Sequence, residues 1–388
     1  MKNNCFGFWL FGFLGVAAIV SSAATVVDIT GVGAEKRPVS IDVRGANAAA
    51  YAKTLKRNLE LSGCFAVTSG GGIKVTGTVG GEVRAADAAK SVASSAAVTD
   101  EKSARMAARA MSDSICQAFA DQKGFAQDKV VFVSRKGPDN SELCMCYPDG
   151  QDIRQLTTDG KSSVGPRWKD DTSLFYTGFL QGGPQIWEHN TATGKRSLRW
   201  SFKGLATGAV VSPDATKAAI ILSFQGNPEL YVIDLATSRW QRMTTTPNAS
   251  EGQPSWSPDG KKLVYVSDET RQPQLYVVDI ATKAKRRLTS RGSQNVDPDW
   301  GRDGRIAYIT KRGGLSQVAV LDPSEDDAAA TLVTTPGSWE HPSWSRNMRH
   351  VVAGRDKALF VVDTLPDGDK PAQMFFNSGN WITPCWSR

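Results

Sequence analysis

From Lys129 onward the chain repeats itself about every 44 residues, and this constrains the fold more than any other feature. The clearest unit is Pro254-Ser255-Trp256-Ser257-Pro258-Asp259-Gly260. It is echoed at Pro166-Arg167-Trp168, Val210-Val211-Ser212-Pro213-Asp214, Pro298-Asp299-Trp300, Pro342-Ser343-Trp344-Ser345 and Pro384-Cys385-Trp386-Ser387. The anchors at 168, 210, 256, 300, 344 and 386 are separated by 42, 46, 44, 44 and 42 residues, with Val210 standing where the others have Trp. A second column keeps the same beat at Leu143, Ile186, Leu230, Leu275, Val318 and Leu359. A third follows at Leu156, Leu198, Met243, Leu288, Leu332 and Met374. Three columns in one phase are not a product of chance.

A unit of this length with several short alternating runs is what a four-stranded propeller blade needs. Ser-Pro-Asp-Gly supplies a turn between the first two strands, because Pro pre-sets one dihedral and Gly accepts the other. The recurrent Trp is expected to pack between neighbouring blades, where a flat ring buries the most area. Pro two places before the anchor fits an innermost strand, whose free edge faces a central channel. Residues 129–165 offer only three strands, Val130–Ser134, Glu142–Tyr147 and Ile153–Thr157, and the strand through Trp386 supplies the fourth. The count is six blades.

The N-terminal part reads differently. Residues 1–24 have one Lys, an apolar run from Phe6 to Val20 and a small-residue Ser22-Ala23-Ala24 end, the layout of a cleaved secretory signal. No stable membrane span is expected after cleavage. Between Thr25 and about Gln127, Ala48, Tyr51, Ala52, Leu55 and Leu59 fall at helical spacing with Gly63 as a stop. Ala104, Ala108, Met111, Ile115 and Phe119 make a second helix, for which Gly124 is the expected end. Ile73, Val75 and Val79 alternate as a strand, and Glu82 to Val98 is too Ala/Ser-rich to assign. The expected fold is an α/β N-terminal domain over 25–127 with an extended mature N-terminus, followed by an all-β six-bladed β-propeller over 128–388, closed by the C-terminal strand. Loss of the leader leaves Cys64, Cys116, Cys144, Cys146 and Cys385, an odd number that cannot pair completely. Cys144 and Cys146 share a strand face, so a Cys64–Cys116 bridge is the one pairing worth testing. The net charge of +7 comes from mixed signs along the chain and indicates no nucleic-acid partner.

The export signal, the extended start Thr25-Val26-Val27-Asp28-Ile29-Thr30-Gly31-Val32-Gly33, the small α/β domain and six blades ending on Trp386-Ser387 together resemble the TolB family. That family is the periplasmic component of the Tol–Pal envelope system, and the resemblance spans essentially the whole mature chain. It implies a non-catalytic, monomeric hub in the periplasm. Such a hub binds the peptidoglycan-associated lipoprotein Pal on one propeller face and supports outer-membrane integrity and cell division. The inner-membrane protein TolA would capture a free N-terminal strand, here Val26, Val27, Asp28 and Ile29, by strand addition. In the family, Pal contacts come from loops preceding the anchors. Carried over, these are Glu251, Asn295, Asp297, Trp339, Glu340, His341, Trp381 and Thr383. Trp339 and Trp381 would be exposed anchors of the interface, or else caps on a blade.

Enzyme chemistry finds little support. No Gly-x-Ser-x-Gly elbow and no His-Glu-x-x-His occur, and three His (His189, His341, His350) are too few for a His-built metal centre. No cofactor and no metal are assigned. The alternative that stays open is an exported propeller that binds or cleaves carbohydrate.

Overall fold

The computed structural model describes residues 35–223, 226–365, 371–374 and 379–387. The leader and the expected strand Val26–Ile29 lie outside them. Strand β1 (Arg37–Arg44) leads through α1 (Ala48–Leu61) to β2 (Phe65–Val67), β3 (Ile73–Thr78), β4 (Glu82–Ala86), β5 (Ser91–Ser95) and α2 (Glu101–Ala120). The sheet order is β2-β1-β3-β4-β5, with β1 parallel to β2 and β3, and β4 and β5 added antiparallel. In β3, Ile73 and Val75 turn inward while Lys74 and Thr76 face water, so one sheet face is apolar. Helix α1 covers it with Tyr51, Leu55 and Leu59, four residues apart, and α2 adds Ala104, Ala108, Met111 and Ile115.

Helix α2 begins in a capping box: the Asp100 carboxylate accepts the Ser103 N–H at 2.7 Å, and the Ser103 hydroxyl accepts the Asp100 N–H at 3.0 Å. It stops at Asp121, in the left-handed region at φ 51°, and not at Gly124 as the spacing suggests. Gly124 serves a different need, because a Cβ there would stand 2.4 Å from the Cα of Asp113. The Ala/Ser-rich stretch is resolved as β4 and β5, whose short side chains leave little hydrophobic contrast to read.

The rest of the described chain forms six four-stranded antiparallel sheets. Blade 1 consists of Trp381–Trp386, Val130–Gly137, Asn140–Cys146 and Arg154–Gln155, from the channel outward, so the two ends of the ring share a sheet. Blades 2 to 6 begin with inner strands Ser163–Trp168, Ala206–Val211, Glu251–Trp256, Gln294–Trp300 and Glu340–Trp344. Six blades is the number that the three columns predict. The second column is fully buried at all six positions. The third column needs two corrections. In blade 2 a register shift between Ile186 and Trp187 brings Trp200 opposite Ile186 and turns Leu198 out to 41% exposure. In blade 5, Val333 makes the bond to the Val318 carbonyl that Leu288 makes to Leu275, which leaves Leu332 outside.

The anchor indoles lie between blades. Trp168 donates to the Cys385 carbonyl at 3.1 Å, Trp256 to that of Val210 at 3.0 Å and Trp344 to that of Asp299 at 3.0 Å. Trp386 donates to the Asp128 carboxylate at 3.0 Å. Blades 2, 4 and 6 are thus held to their predecessors by a buried ring and a satisfied N–H. Trp300 departs from this, donating to the Gly304 carbonyl of its own turn at 2.8 Å.

The α/β domain is pinned to the turns of blades 1 and 6. Arg109 of α2, completely buried, donates Nε to Asp149 at 2.9 Å and Nη1 to Asp152 at 2.8 Å, and stacks 3.8 Å over the Tyr147 ring. Arg349 of the propeller reaches the Cys64 thiol at 3.1 Å and the Gln122 amide oxygen at 2.9 Å. These turns join strands one and two, or three and four, of a blade. Strands alternate direction, so such turns all lie on one face of the ring, and the inner strands begin at the opposite face.

Candidate functional site: a ring of left-handed residues in the propeller channel

Every inner strand carries a β-bulge, seen as a register shift against its neighbour. At the bulge one residue adopts positive φ: Gly165 (58°), Gly208 (68°), Gln253 (52°), Asp297 (54°), His341 (48°) and Thr383 (46°). Five of the six precede Pro, which closes the right-handed helical region to them and donates no N–H to the ladder. Glycine takes this conformation without strain, whereas another residue pays about 1 kcal/mol or more, most of all a β-branched one such as Thr383. Four blades nevertheless carry a side chain there. Strain kept at a repeated position points to use of the side chains it presents.

Those side chains form a chain of contacts across blades 4 to 6. Gln253 donates Nε2 to Asp297 Oδ1, and its Oε1 accepts the Asp297 N–H at 3.0 Å. The other Asp297 oxygen accepts the His341 N–H at 3.1 Å, and His341 Nδ1 lies 3.0 Å from Oδ1. Burial opposes the charge on Asp297, but the His341 imidazolium beside it prevails and holds the carboxyl below its ordinary value. Burial likewise opposes protonation of His341, and Asp297, with help from Glu340, outweighs it and raises the imidazole pKa. Glu340 is pushed up by burial. His341 sits deep in the ring yet keeps 29% of its side chain exposed, because the channel itself is open.

The other side of the ring is bare. A Cβ at Gly165 would meet nothing within 4 Å, and one at Gly208 only the Pro254 ring at 3.5 Å. One layer further in, residues preceding the anchors bridge to the next blade: Ser255 Oγ accepts the Trp300 N–H at 2.9 Å and Asp299 the Trp344 N–H at 2.8 Å. Arg167 belongs to this layer, where Cys385, Asp299 and Asp297 overcome its burial and keep it charged. The site is a polar recess, acidic and imidazole-bearing on one side and shaped by glycine on the other. Its hydrogen-bonding groups suit contact with a polar ligand or partner segment.

The structure brings together Asp297, His341, Glu340 and Thr383 of the residues expected from sequence. It separates the others. Glu251 and Asn295 are buried at blade junctions: Ser267 donates to Glu251 at 3.0 Å, and Asn295 donates to Gln274 at 2.7 Å. Burial first, and then the charge of Glu229, raise the Glu251 pKa to about 8. Trp339 is not exposed; it is 2% accessible, donates to the Thr335 carbonyl at 2.9 Å and stands edge-on to Phe360. It caps a blade. Trp381 is half-buried, edge-on to Phe132 at 6.2 Å. The five described cysteines carry free thiols, so Cys64 and Cys116 are not bridged; Cys64 instead contacts Arg349 and Gln122. His189 and His350 are buried in blades and held near pKa 4, chiefly by burial. Gln253, Gly165 and Gly208 were missed by sequence reasoning; for the first two the position before Pro-x-Trp was the available signal, whereas Gly208 precedes Ala209 and carried none.

Fold and recess together define a six-bladed propeller with an appended α/β domain and a polar channel. A model of the PD40 family, the TolB β-propeller domain, matches residues 116–388. The chain belongs to this TolB propeller family. The crystal structure of TolB from Acinetobacter baumannii superposes with a TM-score of 0.79 at 24% identity, over 92% of this chain and 97% of that one. A putative TolB from Agrobacterium tumefaciens gives 0.50 at 19% identity, over 64% and 88%. A nidogen/laminin complex gives 0.53 at 9% identity, over 67% and 98%. At these identities the likeness concerns the fold.

Proposed function

We propose that the protein is a non-catalytic periplasmic scaffold of the Tol–Pal system. A Pal-like outer-membrane lipoprotein docks at the channel mouth that holds Gln253, Asp297, Glu340, His341 and Thr383. The observation that carries this reading is the ring of strained bulge residues. It opens on the face opposite the turns that hold the α/β domain, where an interface of ordinary size has room to form. A ring with polar side chains at four positions and glycine at two suits a protruding polar segment of a partner, with the Asp297–His341 pair orienting its hydrogen-bond groups. Family membership supports the same conclusion. A TolA-like protein would engage the N-terminal strand Val26–Ile29 by adding it to a sheet edge. Through these contacts the protein would support outer-membrane integrity and cell division.

The test is affinity capture from the native envelope with the full mature chain as bait. The expected prey is a lipoprotein with a peptidoglycan-binding domain. H341A should lower recovery about tenfold, the loss typical of a central interface residue, at a temperature where its melting curve shows the variant still folded. Equal recovery by H341A, or release of sugar fragments from envelope polysaccharide by the purified protein, would refute the reading.

A further inference from the structure

The outermost strands of blades 2, 3 and 4 are Arg196–Trp200, Trp240–Arg242 and Lys285–Arg287. They carry Arg196, Arg199, Arg242, Lys285, Arg286 and Arg287, and no carboxylate lies within them. Nearby acids are already engaged. Asp159 pairs with Arg196, Glu229 with Arg242 at 2.8 Å and Glu269 with Lys285. Asp234 and Asp279 accept backbone N–H groups of their own turns. Among the described residues, Arg199, Lys203 and Arg239 form no ion pair. Beyond this arc the sign changes, since the outer connection of blade 5 carries Asp322, Glu325, Asp326 and Asp327.

Apolar groups project from the same arc. Trp240 is 45% exposed and Leu198 41%. Trp240 stands edge-on to Tyr231 at 5.5 Å and to Phe202 of the preceding connection at 6.5 Å, and Arg199 lies 5.2 Å over the Trp200 ring. Blade construction does not ask for this indole. The register position that pairs Trp240 with Ile233 in blade 3 pairs Lys285 with Val278 in blade 4. Blade 3 lies between blades 2 and 4, so Trp240 stands at the middle of the basic arc.

We infer that this rim is a docking surface for a bilayer bearing anionic headgroups. Arg199, Arg239 and Arg286 face the lipid phosphates, and Trp240 and Leu198 enter the headgroup–acyl boundary. Arginine and lysine near an anionic leaflet are attracted over a Debye length, and an amphipathic indole settles at that depth. The charge sign and the exposed aromatic together select this occupant; a polyanion without an apolar layer would leave Trp240 and Leu198 unused. The surface is separate from the channel, so a chain docked through its channel could rest on a membrane by its rim.

Co-sedimentation of the full mature chain with vesicles tests this. Phosphatidylcholine vesicles containing phosphatidylglycerol should pellet the protein, and pure phosphatidylcholine vesicles should not. Brominated acyl chains should quench fluorescence in the native protein and not in W240F. The triple variant R199E/R239E/R286E should bind about tenfold less or worse, given the attraction expected of each surface cation, while keeping the native melting temperature. W240S should bind several-fold less with undiminished salt sensitivity. Absence of binding to the anionic vesicles would overturn the inference, as would equal binding to neutral ones or undiminished binding by the triple variant. Retention on a soluble acidic polysaccharide without vesicle binding would overturn it too, in favour of a glycan partner.

Discussion

Two positions, three residues apart in each repeat that carries the Trp, behave in opposite ways. At the anchor the residue type recurs, with Trp at 168, 256, 300, 344 and 386, and its environment recurs with it as a buried ring between blades. At the bulge position between them and the strand start the backbone recurs, with φ between 46° and 68° in all six blades, but the residues are Gly, Gly, Gln, Asp, His and Thr. Where side chain and backbone repeat together, the position holds the ring together. Where the backbone repeats and the side chains diverge, the scaffold provides a fixed display and the residues on it define what is recognised.

The contrast makes Trp256→Ala the costliest change. It removes a large buried ring and orphans the Val210 carbonyl, so chemical denaturation should register a loss of about 3–5 kcal/mol. A loss under about 1 kcal/mol would place Trp256 outside the core. Trp339→Ala sharpens the division, since this residue looks like an interface anchor in sequence and is buried in the structure. It should cost about 3 kcal/mol while leaving partner affinity within a few-fold. Arg109→Ala leaves Asp149 charged and buried at the domain junction, and about 3 kcal/mol should be lost there.

Smaller effects separate the two kinds of carboxylate. The Glu251 pKa is raised from 4.5 to about 8, so its contribution to stability is complete below 4.5 and is lost as pH rises through 8. Glu251→Gln should flatten the stability profile over that window; an unchanged profile would mean Glu251 titrates normally. At the ring the signs are reversed for the acid. The depressed Asp297 pKa contributes above 3.8 and is lost as pH falls, and the raised His341 pKa contributes below 6.5 and is lost as pH rises. Asp297→Asn should bring the His341 midpoint, followed by NMR, from above 6.5 to below it, because burial, aided by the Arg167 charge, then opposes protonation with only Glu340 against it. A midpoint that does not move would show that the pair seen at 3.0 Å is not an ionic one in solution.

The blades were legible because each must bury the same layers, and that demand imprints a period on the sequence. The third column slipped at Leu198 and Leu332 because outer strands are short and half exposed, so a bulge or an inserted turn can exchange which residue faces in. The site was legible only in part. Asp297, His341 and Thr383 were selected as loop residues before an anchor, along with Glu251, Asn295 and Trp339, because a linear sequence does not say where in a loop the strand begins. The bulge resolves this. It rotates one residue per blade into the channel and leaves the strand's first residue, such as Glu251, in the wall between blades. Nor could the sequence join Arg109 to Asp149 and Asp152, since the pairing spans two domains.

Site-specific photo-crosslinking to the purified Pal-like lipoprotein domain tests the central claim most directly, with the photoreactive group placed at 253 or 341 in the ring and at 259 or 303 in turns on the far face. The account predicts crosslinks from 253 and 341 and none from 259 or 303. Crosslinks from the far-face turns with none from the ring would contradict it.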